Sequence, residues 1–332
     1  LENELRILDQ QLEPQIKFVP LEKDFKVKDF INHLSNQNKE FKIQEDSLAV
    51  IYHRRSQAWI SLLDPETGLM RPRDNGQFMQ RYDPREVNNH FTEANSWQYS
   101  FYFPHDVDGY LNMSGGKNKL EEKLDQLFSA DSKTTGREQS DITGLIGQYA
   151  HGNEPSHHMA YLYNFVNKPY KTQEKVDEIL TTLYTNTPDG ISGNEDCGQM
   201  SAWYVLSSLG FYPVTPGANQ YIIGSPLFEK ATINLENKKQ FTIQAENISD
   251  SAIYIEKAFL NDIALNRTFI THNEIIAGGI LKFYMTDAPT NWGTQEGQEP
   301  KTEIKEHLII PTPFIAEGEI AFKNDTQVSL AN

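Results

Sequence analysis

The hydrophobic period of this chain changes at Phe211-Tyr-Pro213, and that change decides the class of fold open to it. Ahead of it, apolar residues recur every three or four positions. Leu48, Ile51, Tyr52, Trp59, Leu62 and Leu63 form one such set, and Leu120, Leu124, Leu127 and Phe128 another. Ile142, Leu145, Ile146 and Tyr149 continue it, as do Met159, Leu162, Tyr163 and Val166, and Val176, Ile179, Leu180 and Leu183. This spacing gathers side chains on one face of a helix. Behind it the period is two: Phe241, Ile243 and Ala245 alternate with polar residues. Ala231–Leu235, Ile253–Ile255, Ile275–Phe283 and His307–Ile310 read as further strands between turn residues. The expected order is a weakly periodic segment (1–45), a helical body (46–215) and a β-rich module (216–332), an α + β multidomain chain. Within the first segment, Leu5, Leu8 and Leu12 predict a short helix that ends near Pro14.

Composition narrows the function. With 332 residues, 38% of them hydrophobic and 11% aromatic, the chain can bury a sizeable core. No apolar run approaches the roughly 18 residues of a membrane span. A formal net charge of −16 argues against nucleic acid, which needs clustered Lys and Arg. It suits a neutral or cationic partner, or a divalent metal. The single cysteine, Cys197, excludes an internal disulfide and fits cytosolic and exported bacterial proteins alike. The opening Leu1-Glu-Asn-Glu-Leu lacks the basic and apolar regions of a signal peptide.

Three acidic clusters carry the chemistry. The first is Phe91-Thr-Glu93-Ala-Asn95-Ser-Trp97-Gln98-Tyr99. Aromatic planes stack on sugar rings and amides bond to their hydroxyls, while an apolar wall would raise the pKa of Glu93 toward that of a general acid. The plain alternative is helix capping by Thr92 with Trp97 filling core. The second cluster, Gly152-Asn153-Glu154-Pro155-Ser156-His157-His158, is a turn leading into the Met159 helix, with Pro155 near its first turn. Adjacent histidines diverge on a helix and no His-x-x-x-His pair or cysteine partner stands here, so zinc is disfavoured. Glu154 and Asn153 suit a hard cation such as calcium, which prefers oxygen ligands. The third cluster, Gly193-Asn194-Glu195-Asp196-Cys197-Gly198, is a glycine-flanked turn before an apolar helical run starting at Met200 and Trp203. Asn194 or Asp196 as a simple helix cap is the competing reading. Three polar turns, each followed by a helix, are expected to converge on one pocket. Two carboxyl groups there support glycoside hydrolysis, one as acid and one activating water or attacking the sugar.

At these clusters the chain resembles glycoside hydrolase family 92, the bacterial calcium-dependent exo-α-mannosidases. Leu63-Asp-Pro-Glu-Thr-Gly-Leu-Met-Arg-Pro-Arg73, Phe91–Tyr99, Gly152–His158 and Gly193–Val205 carry the resemblance, with Gly210–Val214, Gly278-Gly279 and Asn291-Trp-Gly293 extending it into the β module. It implies the later part of an (α/α)6 toroid-type barrel followed by an antiparallel β-sandwich-like module. It implies hydrolysis of terminal α-mannosidic linkages of mannose-rich glycans with inversion. Carried over by motif, Glu93 stands as general acid and Asp196 as general base. Trp97, Asn153, Glu154, His157 and Glu195 stand as substrate contacts, and Asn95, Glu154 and Asn194 as candidate Ca2+ ligands. Asn153 stands where some α-1,2-specific members have His, and Ala94 where Gly is frequent. Family members carry a β-sandwich ahead of the barrel that this chain does not match. The alternatives are an (α/α)6 glycosidase for glucosides and a non-catalytic mannose-binding fragment.

Overall fold

The computed structural model describes residues 49–304, 314–317 and 329–331. The expected Leu5–Leu12 helix and the His307–Ile310 strand lie outside the described residues. The chain divides at Ser56 into two compact units. Of the first, residues 49–55 are described and are helical. The second unit, from Ser56 onward, holds all three acidic clusters.

Its helical part begins with a short 3-10 helix, Ala58–Ser61, and a turn locked by Asp64. Asp64 accepts from the backbone of Glu66 and from Thr67, and pairs with Arg71 at 3.0 Å. The conspicuous Leu63–Arg73 motif is therefore a built turn. Three helices follow: α1 (Ser96–Tyr99), α2 (Val107–Ser114) and α3 (Lys117–Ser129). In α3 the four buried residues Leu120, Leu124, Leu127 and Phe128 form the stripe read from the sequence. Burying four such side chains contributes on the order of 6–10 kcal/mol at most.

The expected helix over Ile142–Tyr149 is absent. Two short antiparallel strands, β1 (Leu145–Ile146) and β2 (Tyr149–Ala150), occupy it. Gly144 and Gly147 adopt φ +59 and +60, and a left-handed backbone breaks a helix whatever the apolar spacing. Met159–Val166 is a 3-10 helix with all eight residues buried. A helix apolar on every side belongs at the centre of a body rather than on its surface. Against it packs α4 (Pro169–Thr182), which starts on its proline, and α5 (Gln199–Ser208) follows. The core shared by these elements includes Phe103 stacked on Tyr110 at 4.0 Å between ring centres.

Strands take over at Phe211. A three-stranded sheet contains β3 (Phe211–Tyr212), β4 (Gln220–Ile223) and, further along, the Phe269–Thr271 strand. The larger sheet comprises β5 (Lys230–Asn234), β6 (Gln240–Glu246), β7 (Tyr254–Leu260), β8 (Ile263–Ala264) and Gly279–Thr286. With Phe269–Thr271 as β9 and Gly279–Thr286 as β10, its order is β8-β7-β10-β6-β5. In β6 the inward residues Phe241, Ile243 and Ala245 are buried, as the alternation required. The sheet departs from an all-antiparallel module: β6 and β10 pair in parallel, with the long crossover between them that such a pair needs. The expected Ile275–Phe283 strand is also corrected. His272–Ala277 is a helix, α6, and only from Gly279 does the chain extend. A capping box, Thr271 with Glu274, starts α6, and this Thr-x-x-Glu signal outranks the short apolar run.

The sheet part is hydrogen-bonded to the helical part. Asn164 Nδ2 donates to Ile223 O at 2.8 Å and to Thr268 O at 3.2 Å. The Ile255 amide donates to Gln173 Oε1 at 3.1 Å. Among the described residues no helix is long and apolar enough to cross a membrane.

Candidate active site

Each acidic cluster sits on a loop fixed by the element after it. Glu93 precedes α1, and Asn95 is the cap of that helix, its Oδ1 accepting from Gln98 N. Between them Ala94 is buried at φ +56, and its amide donates to Gln139 Oε1 at 2.9 Å. Glycine adopts such a backbone freely, whereas the Cβ of alanine strains it. Tyr99 folds back toward Glu93, its hydroxyl pushed up first by burial and then by the Glu93 carboxylate.

Glu154 opens the short Glu154–Ser156 turn, with Pro155 beside it. Asp196 lies on a turn of three consecutive left-handed residues, Asp196 at φ +45, Cys197 at +56 and Gly198 at +89. Such a run is strained for two non-glycine residues and is held by its surroundings. The Met200 amide donates to Glu195 O, and both Glu195 carboxylate oxygens are held by Ser201, by its amide at 3.0 Å and its hydroxyl at 2.9 Å. Gly193 seats this loop on the second cluster: a Cβ there would stand 2.9 Å from Thr143 Oγ1 and 3.0 Å from Gly152 O.

The fold brings Glu154 and Asp196 together, with Glu93 near enough for its charge to act on Glu154 though it does not line their cavity. The Glu154 carboxyl is raised above its ordinary value, first by burial, then by sharing a hydrogen bond with Asp196, and by the charges of Asp196 and Glu93. A carboxyl among like charges keeps its proton longer. Glu154 and Asp196 line an open cavity of about 430 Å³ with Tyr102, His157, Gln199 and Tyr212. His157 is buried, and both ring nitrogens are engaged, Nε2 with His151 O at 3.0 Å and Nδ1 with Gln199 at 3.3 Å. Behind it, Tyr149 donates to His151 Nδ1 at 2.7 Å, and His151 Nε2 reaches Tyr184, which donates to Met200 O. Burial holds His151 down to about 2 and His157 and His158 down to about 4, so all three are neutral near pH 7.

Other candidates lie elsewhere. Asn95 is fully buried with its amide on Arg85 O and Gln148 Oε1 and its oxygen on the α1 backbone, so its polar atoms serve the fold rather than a metal. Glu195 faces a separate cavity of about 560 Å³ with Tyr184 and Tyr204, and its carboxylate is committed to Ser201 rather than to a sugar in the Asp196 cavity. Asn194 donates to Asp141 at 2.8 Å. Trp97 is half-buried against the helical core. Asn153 is buried, and its Nδ2 finds no partner among the described residues. Sequence reasoning missed Tyr102, Gln199 and Tyr212 as lining residues. Gln199 and Tyr212 lay inside quoted motifs, but nothing in their spacing showed that they face Asp196.

With the geometry established, comparison with known proteins is decisive. The family model for the glycosyl hydrolase family 92 catalytic domain matches residues 23–287. The chain belongs to glycosyl hydrolase family 92. Solved members of the family are similar in structure. A family GH92 α-mannosidase from Bacteroides thetaiotaomicron, in complex with mannoimidazole, is 36% identical with a TM-score of 0.73, over 79% of this chain and 36% of that one. A family GH92 inverting mannosidase from the same species is 34% identical with a TM-score of 0.68, over 79% of this chain and 37% of that one. An uncharacterized secreted glycosidase of Arthroderma benhamiae is 28% identical over 211 residues, 63% of this chain and 25% of that protein. This family 92 chain thus spans between a quarter and a little over a third of the length of these relatives.

Proposed function

We propose that this family 92 chain carries the sugar-cleaving site of an exo-acting α-mannosidase that hydrolyses terminal α-mannosidic linkages of mannose-rich glycans with inversion. The observation that carries the reading is the meeting of Glu154 and Asp196, from two loops, at one open cavity, within reach of the charge of Glu93 on a third. Glu93 is the general acid that protonates the leaving oxygen. Asp196 is the base that takes a proton from the attacking water. Glu154, hydrogen-bonded to Asp196, holds that carboxylate and meets the sugar. Inversion requires acid and base roughly 6.5–9.5 Å apart, leaving room for the water. The relatives solved as an α-mannosidase and as an inverting mannosidase support substrate and stereochemistry. By the same reading, residues 46–215 are the later part of an (α/α)6 toroid and residues 216–332 a β-sandwich-like module.

Calcium assistance belongs to this proposal. The hard, negatively charged oxygens of Glu154 and Asp196 fit such a cation, whereas the saturated Asn95 does not. Among the described residues no group of three or more His, Cys, Asp or Glu forms a metal cluster. Glu154 and Asp196 would therefore hold it together with carbonyls, waters and sugar hydroxyls. When bound, calcium supplies positive charge that orients vicinal hydroxyls of the sugar.

The test is an NMR time course with α-1,2-, α-1,3- and α-1,6-linked mannobiose, with and without a chelator. Early β-mannose, lost on chelation and restored by calcium, is the expected result. Glu93→Gln and Asp196→Asn should each lower kcat by ~10³-fold while sugar binding persists. Early α-mannose, or full activity in Asp196→Asn, overturns the assignment. Because the chain covers only part of its relatives' length, a second reading is a fragment that binds mannosides without turnover. Saturable binding with no product is its signature.

A further inference from the structure

Inside the cavity, the hydrogen-bond directions at Gln199 are fixed by its neighbours. His157 Nε2 lies 3.0 Å from the His151 carbonyl, which only accepts, so Nε2 carries the ring hydrogen. Nδ1 faces an amide nitrogen, which only donates, so Nδ1 is the bare nitrogen of the ring and accepts. That amide nitrogen, 3.3 Å away, belongs to Gln199. The second hydrogen of that nitrogen goes to Tyr212 Oη at 3.2 Å. With the amide turned the other way, Oε1 would face the Nδ1 lone pair, acceptor against acceptor. Gln199 Oε1 therefore takes the opposite side, where it meets no protein donor among the described residues, and Gln199 lines the cavity. Tyr212 Oη accepts from Gln199, so its own hydrogen is free to donate, and Tyr212 lines the same cavity.

We propose that Gln199 and Tyr212 form a hydroxyl-reading pair in the Glu154–Asp196 cavity, with His157 as the positioning residue that sets the Gln199 amide. The proposal rests on the reading of this cavity as a sugar site. A hydroxyl group donates once and accepts as well, so one sugar hydroxyl satisfies Oε1 and the Tyr212 hydrogen together. A ring ether or an ammonium group uses only one of the two. The pair thus selects a neutral polyol substrate at one defined carbon, and the carboxylates that do the chemistry need not make that distinction.

The experiment compares the protein with Gln199→Met, which keeps length without an acceptor, and Tyr212→Phe, which keeps the ring against Tyr161. Rates are measured on an aryl α-mannoside and on its 2-, 3-, 4- and 6-deoxy analogues. Each variant should lose about 10-fold or more in kcat/KM on the parent sugar. At one deoxy position that loss should vanish, because the partner hydroxyl is already gone. An equal loss on every analogue overturns the pair as a reader and leaves it a wall of the pocket. A Gln199→Met loss that disappears after chelation, in the variant and the unmodified protein alike, overturns it in favour of a cation on Oε1. If the unmodified protein cleaves no mannoside, the activity reading fails, and the pair is judged by saturation-transfer NMR with methyl α-mannoside. Binding lost in both variants supports it, and binding kept in both, or absent from the unmodified protein, overturns it. Circular dichroism checks folding, and Tyr212→Phe carries the test should Gln199→Met unfold.

Discussion

Ala94 sits at φ +56 with no solvent exposure, so two effects of similar size oppose each other there. Glycine would relieve roughly 1 kcal/mol of left-handed strain and would lose roughly 0.8 kcal/mol of methyl burial. Ala94→Gly should therefore leave the melting temperature within about 3 °C, while a β-branched Ala94→Val should lower stability by about 2 kcal/mol or more, measured by urea unfolding. Glu195 offers a second residue-scale test. Its carboxylate ties the strained Asp196 turn to the start of α5 through Ser201. Glu195→Ala should cost about 1 kcal/mol of stability and lower kcat by ~10-fold or more, with KM within about 3-fold. A rise in KM at constant kcat would return Glu195 to the role of substrate contact.

At the scale of elements, short signals decided what apolar spacing could not. The α3 stripe was legible because thirteen residues repeat the helical period without a breaker. Ile142–Tyr149 has the same spacing, but Gly144 and Gly147 turn it into a hairpin. Gly147 is the stricter of the two, since a Cβ there would lie 2.2 Å from Leu127 O. Gly147→Ala should cost roughly 3 kcal/mol, because backbone must move rather than a flexible side chain. A thermal shift below about 3 °C would show that β1–β2 yields instead. The same hairpin leads into His151 and Glu154, so this variant should also slow hydrolysis.

Across the whole molecule, three buried neutral histidines set how the fold meets acid. His151 is held down to about 2 and His157 and His158 to about 4, all by burial first. In each case the folded pKa lies below the unfolded value of about 6.5, so the unfolded chain binds protons first. Their contribution is complete above that value and is lost as pH falls from about 6.5 toward 4. Each withdraws about 2 kcal/mol by pH 5. Glu154 has the opposite sign: its raised carboxyl binds protons more readily in the folded state, so it partly offsets the loss. Urea midpoints at pH 7, 6 and 5 should fall steeply, and a midpoint that stays level from pH 7 to 5 would refute burial of the neutral rings. Glu154→Gln should steepen the fall, because it removes the offset.

The sequence by itself determined the order of helical body and sheet, the stripes of α3 and α4, the alternation of β6 and the three acidic loops. Periodicity and turn chemistry are local, and local spacing decides them. Only the tertiary structure decided that Glu154 and Asp196 share a cavity within reach of the charge of Glu93. They lie on loops far apart in sequence, and their approach depends on how helices pack. It likewise turned Asn95 into a helix cap and Glu195 into a brace, and brought Gln199 and Tyr212 to the cavity wall. A polar side chain's role depends on which partner saturates it, and a one-dimensional pattern does not contain those partners. The parallel pairing of β6 with β10 was hidden for the same reason: strand direction is fixed by the path of the chain between strands.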